Sequence, residues 1–167
     1  RSRTGRAPAG HGGESTTIYR SGTPTVALAS SLACALELAV ENLPERSASV
    51  QKRNAELRAA LCQHPEVRIN SPENAIPHIL NLSVRDVKGT VFQRELDAHG
   101  VCVSVKSACS SDGLPSRAVF AVSRDRRNAL SSWRISLSHL TTEAEIQEFL
   151  RVFDVCCQQL TAAHGDR

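Results

Sequence analysis

The chain has 167 residues, of which 41% are hydrophobic and 22% charged, and a net charge of +3. That is enough for one domain with a real core, and the weak positive charge, with no basic run interleaved with aromatics, gives no reason to expect nucleic acid as a partner. No apolar stretch reaches the roughly 18 residues of a membrane span, and the first residues carry no signal-peptide core.

Residues 1–10 show no hydrophobic period and are expected to form a loose tail. The stretch from His11 to Pro24 gathers Gly12, Gly13, Ser15, Thr16, Thr17, Arg20, Ser21, Gly22 and Thr23. Backbone N–H groups, hydroxyls and a guanidinium in such density suit a phosphate. They equally suit a solvated turn, and the pattern is neither a Walker loop nor a dinucleotide fingerprint. Thr23-Pro24 then reads as the start of a helix, with Thr23 as N-cap and proline in the first turn. Ala29, Leu32, Ala33, Leu36, Ala39, Val40 and Leu43 recur at helical spacing and predict a buried stripe, which Pro44 ends or kinks. A second helix is expected to about Cys62, with Val50, Leu57 and Leu61 inward and Gln51, Lys52, Arg53, Glu56 and Arg58 outward.

Beyond His64-Pro65 the period changes. Val67 and Ile69 predict a short strand, residues 70–74 a turn, and Leu80, Leu82 and Val84 a half-buried strand with Asn81, Ser83 and Arg85 on its other face. Gly89 to His99 reads as a helix with Val91, Phe92 and Leu96 inside, closed by Gly100. Val101 to Val105 alternates as another strand. Two short helices are expected after Pro115, then a last strand from Ser131 to Ser138. On it Trp133, Ile135 and Leu137 face one way, and Arg134, Ser136 and Ser138 the other. Thr142-Glu143-Ala144-Glu145 is a capping box. It opens a helix carrying Ile146, Phe149, Leu150, Phe153, Cys157 and Leu160 on one side, and residues 161–167 are expected to fray. This order predicts a small mixed sheet, largely antiparallel, covered on one face by helices.

Six cysteines occur, at 34, 62, 102, 109, 156 and 157, and their spacing fits no metal motif. Cys34, Cys62 and Cys102 fall on apolar positions and are expected in the core, which favours a reducing, intracellular compartment. Cys109 differs. It lies in Ser104-Val105-Lys106-Ser107-Ala108-Cys109-Ser110-Ser111-Asp112-Gly113, small and polar residues that cannot pack a core. An accessible loop thiol is the usual setting of a reactive cysteine; a serine-rich turn with an incidental thiol is the other reading.

Three stretches taken together resemble the C-terminal part of a cysteine desulfurase: Arg20-Ser21-Gly22-Thr23-Pro24, Ser107-Ala108-Cys109-Ser110-Ser111, and Trp133-Arg134-Ile135-Ser136-Leu137-Ser138-His139-Leu140-Thr141-Thr142. These enzymes are class V aminotransferases, α/β pyridoxal 5'-phosphate enzymes of fold type I, and the likeness runs from about His11 to about Gln159. The resemblance implies that Cys109 is the catalytic cysteine, taking sulfur from L-cysteine to give L-alanine and a persulfide that is passed to an acceptor protein. It implies that Arg134 binds the substrate's α-carboxylate. It also implies that Thr23 reaches the cofactor phosphate of the neighbouring subunit in a homodimer of a cytoplasmic enzyme, and that the acceptor serves iron–sulfur cluster assembly or the thiolation of tRNA or a cofactor. Residues 1–20 would then be a tail and remnant of a preceding large domain, and 21–167 the small domain. The lysine that holds the cofactor belongs to that large domain, and none of Lys52, Lys88 and Lys106 matches it, so this chain alone is expected to be inactive. Two other readings are a stand-alone sulfur-relay or interaction module, and a cysteine protease or acyl transferase with His139 as base. A relay needs neither Arg134 nor Thr23, and the position of His139 is already accounted for by the resemblance.

Overall fold

The computed structural model describes residues 22–105 and 114–165, the last three by their backbone alone. The expected tail, the run from His11 to Ser21 with Arg20, and the loop carrying Lys106 and Cys109 lie outside the described residues. The chain forms two compact units, Arg1–Leu43 and Pro44–Arg167.

The described part of the first unit is dominated by helix α1, Val26–Glu41. Its N-cap is Thr25 rather than Thr23, and no side chain caps it. The expected buried stripe is exposed: Leu32 is 71% and Leu36 61% accessible, and no residue of the helix is buried. Val26, Leu28 and Leu38 lie outside the stripe and are also exposed, so the helix is apolar around much of its girth. Periodicity correctly marked a helix; it could not supply a surface to bury it against. No single helix among the described residues is long and apolar enough to cross a membrane.

The second unit starts with α2, Leu43–Leu61, whose Val50, Leu57 and Leu61 are fully buried as expected. Strands β1 (Val67–Ile69), β2 (Ile79–Val84) and β3 (Ser132–Ser136) form one antiparallel sheet in the order β1-β2-β3. Between β2 and β3 lie α3 (Gly89–Ala98), α4 (Arg117–Ser123) and α5 (Arg126–Ser131). Helix α6, Glu143–Gly165, closes the unit and runs past the end expected near Leu160. Its capping box is formed: Thr142 N–H donates to Glu145 Oε2 at 2.7 Å, and Glu145 N–H to Thr142 Oγ1 at 3.2 Å. The first of these bonds holds the Glu145 carboxyl below its usual range.

Register separates the two faces of the sheet. Leu82 pairs with Trp133 and Leu80 with Ile135, and all four are buried in one core with Phe92, Phe149 and Phe153. Phe92 stacks on Trp133 with ring centroids 5.2 Å apart. Asn81 pairs with Arg134 and Ser83 with Ser132 on the opposite, polar face. That face also receives α5, because Ser83 Oγ donates to the Asn128 carbonyl at 3.0 Å. Helices therefore meet the sheet from both sides rather than one.

Several expectations are corrected. Val101–Val105 is not a strand: Ser104 alone bridges Arg134, by N–H···O bonds of 3.1 and 2.7 Å in the two directions. Val101, Val103 and Val105 alternate because they pack on the core, while the Val103 carbonyl accepts from Gln93 Nε2 instead of a ladder partner. Val91 is exposed where Phe92 and Leu96 are buried. Cys34, Cys62 and Cys102 are exposed, whereas Cys156 and Cys157 are buried. Arg58, expected to face solvent, turns back: it donates to Asn54 Oδ1 at 2.8 Å and to the carbonyls of Ser71 and Pro72 at 3.1 Å each.

Candidate functional site

Arg134 is held at mid-strand in β3, with β2 on one side and the Ser104 bridge on the other. Its neighbours in sequence, Trp133 and Ile135, are anchored in the core, so alternation sends the guanidinium to the polar face. There it lines a cavity of about 910 Å³. Three arginines, Arg68, Arg117 and Arg134, contribute to the described lining, and no carboxylate does. Arg68 is spoken for in part by Asp125 at 3.5 Å. Arg134 is half-buried, and its Nε is buried with no hydrogen-bond partner among the described residues. A buried guanidinium nitrogen without an acceptor is costly unless something supplies one. A carboxylate is the natural supplier, because its two oxygens match the fork of the guanidinium.

The wall beside Arg134 is stiffened by an amide network that sequence reasoning missed. Asn70 Nδ2 lies 2.9 Å from both Asn81 Oδ1 and Ser83 Oγ, and Asn128 Nδ2 donates to Asn70 Oδ1 at 2.9 Å. Asn54, buried on α2, donates to the Pro77 carbonyl at 3.0 Å and so pins the chain just before β2. A signal existed: Asn54 interrupts the stripe of Val50, Leu57 and Leu61 at helical spacing, and a polar residue there must have a partner.

The Cys109 loop itself lies outside the described residues, but both of its ends are seen. Val105 and Leu114, the residues on either side of it, line the same cavity as Arg134. Thr23 is exposed and belongs to the amino-terminal unit. His139 is exposed and does not line the cavity, so the described residues give it no part there. The described lining also holds no lysine: Lys52 pairs with Glu56 on α2 at 3.8 Å, and Lys88 precedes α3. The described residues thus fit a carboxylate, and they do not by themselves fit a pyridoxal group that requires a lysine.

Residues 11–149 match the aminotransferase class-V family. The chain belongs to that family. It is 31% identical over 154 residues to a cysteine desulfurase IscS of Clostridium botulinum, covering 89% of this chain and 39% of that protein. It is 33% identical over 149 residues to an IscS-like cysteine desulfurase of Mycobacterium tuberculosis, covering 87% and 38%. Solved structures agree in fold. A NifS-like protein superposes with a TM-score of 0.73 at 31% identity over 89% of this chain and 38% of its own. A NifS-like protein of Rickettsia africae gives 0.74 at 27% identity over 89% and 39%. The chain therefore spans about two fifths of the length of these relatives.

Proposed function

We propose that this chain is the C-terminal part of a cysteine desulfurase, the small domain of an enzyme that takes sulfur from L-cysteine. The observation that carries the reading is the buried Arg134 Nε, which has no partner among the described residues, on a cavity whose described lining holds no carboxylate and which also receives both ends of the Cys109 loop. The names of the relatives support the same activity. Arg134 holds the substrate's α-carboxylate in a two-pronged grip and so fixes which way the rest of the molecule points. The Cys109 thiolate then takes the substrate's sulfur: an S–S bond forms, the Cβ–S bond breaks, and Cβ gains a proton as L-alanine is released. Cys109 is four residues from Val105, within reach of about 14 Å of chain, which suits a thiol that serves first a bound substrate and then an acceptor outside. Pyridoxal phosphate, when bound, supplies the electron sink that C–S cleavage needs; its lysine would belong to the preceding large domain and is none of Lys52, Lys88 and Lys106. Thr23 would contact the cofactor phosphate of the neighbouring subunit, making the working enzyme a homodimer, which we place in the cytoplasm. The acceptor of the persulfide serves iron–sulfur cluster assembly or the thiolation of tRNA or a cofactor.

In the complete enzyme, Cys109→Ser is expected to abolish persulfide formation and cysteine-dependent alanine release while the cofactor's absorbance band stays unchanged. Loss of the band in that variant would make the loop structural rather than catalytic.

A further inference from the structure

Four side chains that play no part at the Arg134 cavity meet where the turn after α2 touches α6. Cys157 is 1% exposed, and its Sγ donates to Glu66 Oε1 at 3.0 Å. His64 Nδ1 lies 3.6 Å from the same oxygen, and His64 Nε2 lies 3.2 Å from Asp154 Oδ1. The imidazole is further set by an edge-on contact with Phe153 at 5.2 Å and 82°. Donor atoms of His64, Glu66 and Cys157 all fall within 4.8 Å of one another.

Asp154 can only accept, so it holds a ring proton on Nε2 and turns Nδ1 toward Glu66. A metal ion between Nδ1 and Glu66 Oε1, 3.6 Å apart, would meet a donor atom on each side, with Cys157 Sγ as the third. A nucleophilic cysteine is the wrong explanation. Glu66 stands between thiol and imidazole, so His64 cannot take the thiol proton. Burial first, then the bond to Glu66, pushes the Cys157 thiol up to about 12. What remains is one nitrogen, one oxygen and one sulfur donor, with a carboxylate orienting the imidazole from behind, the outer partner that metal-bound histidines ordinarily have.

We propose that His64 Nδ1, Glu66 and Cys157 Sγ form a site for a thiophilic divalent cation of the zinc class, with Asp154 as the positioning residue. Binding forms a metal–sulfur bond as the S–H bond breaks and its proton leaves to solvent, with no change of oxidation state. The ion would clasp the turn before β1 to α6. No local motif announces the site, because its two halves are 91 positions apart in the chain.

Cobalt(II) added to the reduced, chelator-treated 167-residue chain is the probe. One equivalent is expected to bind with tetrahedral ligand-field bands and a sulfur-to-cobalt charge-transfer band, all displaced by zinc. Cys157→Ser should lose the charge-transfer band, Cys156→Ala and Cys109→Ser should keep it, and Asp154→Asn should weaken binding about 10- to 100-fold. Should Cys157→Ser fail to fold, His64→Gln and Glu66→Gln, whose side chains are partly exposed, must each weaken cobalt binding. Absence of a charge-transfer band in the unsubstituted chain, its survival in folded Cys157→Ser, or unaltered affinity in His64→Gln and Glu66→Gln overturns the site.

Discussion

Replacing Arg134 by lysine in the complete enzyme is expected to lower kcat/KM for L-cysteine by roughly a hundredfold, because a charge-assisted bond worth about 1.5–3 kcal/mol is lost. Lysine keeps the charge, but its ammonium is a point donor and cannot grip two carboxylate oxygens at once. The backbone should not notice. Arg134 is fixed by main-chain bonds to Ser104 and by its pairing with Asn81, and both survive the change. Substrate choice supplies a sharper reading. Cysteamine is cysteine without the carboxylate, so the wild-type preference for cysteine over cysteamine should shrink in Arg134→Lys and shrink further in Arg134→Ala. An undiminished preference in Arg134→Ala would move the carboxylate contact to another residue.

The second large effect concerns Gly89, at the start of α3. Helix propensity taken alone predicts that Gly89→Ala stabilises the chain by about 1 kcal/mol. Packing predicts the opposite. A Cβ there would stand 2.5 Å from the Ser132 carbonyl oxygen and 3.2 Å from its carbon, both backbone atoms that cannot rotate away. Either α3 or β3 must shift, and overpacking of this kind costs about 1–3 kcal/mol. Since β3 also carries Arg134, two residues further on, the displacement reaches the site. A urea titration of Gly89→Ala should show a lower midpoint at unchanged slope. A raised midpoint would mean that α3 and β3 are less closely apposed.

These effects grade how much the residues disclosed in advance. The alternation of Trp133, Arg134 and Ile135 was enough to put the guanidinium opposite the core, and the stripe of Phe149 and Phe153 was enough to bury α6. Both are local patterns whose period follows from backbone geometry. What failed was information that no local period carries. Helix α1 has the pattern of a buried helix but lies exposed. Val101 to Val105 has the alternation of a strand, yet only Ser104 finds a ladder partner. Cys62 and Cys102 sit in apolar company along the chain and in solvent in space. The Asn70–Asn81–Asn128 network and the His64–Glu66–Cys157 cluster join residues tens of positions apart, so spacing rules could not find them. The family likeness was legible because the stretches that carry it are short and their order is fixed along the chain.

In the proposed reaction, sulfur passes from cysteine to Cys109 beside Arg134. Its most direct test is to treat the complete enzyme with one equivalent of L-cysteine, quench, and map the extra sulfur atom by mass spectrometry of its peptides. The account predicts a persulfide on the peptide bearing Cys109, matched by an equal amount of L-alanine. Sulfur found on Cys157 or another cysteine, with the Cys109 peptide unmodified, would contradict it.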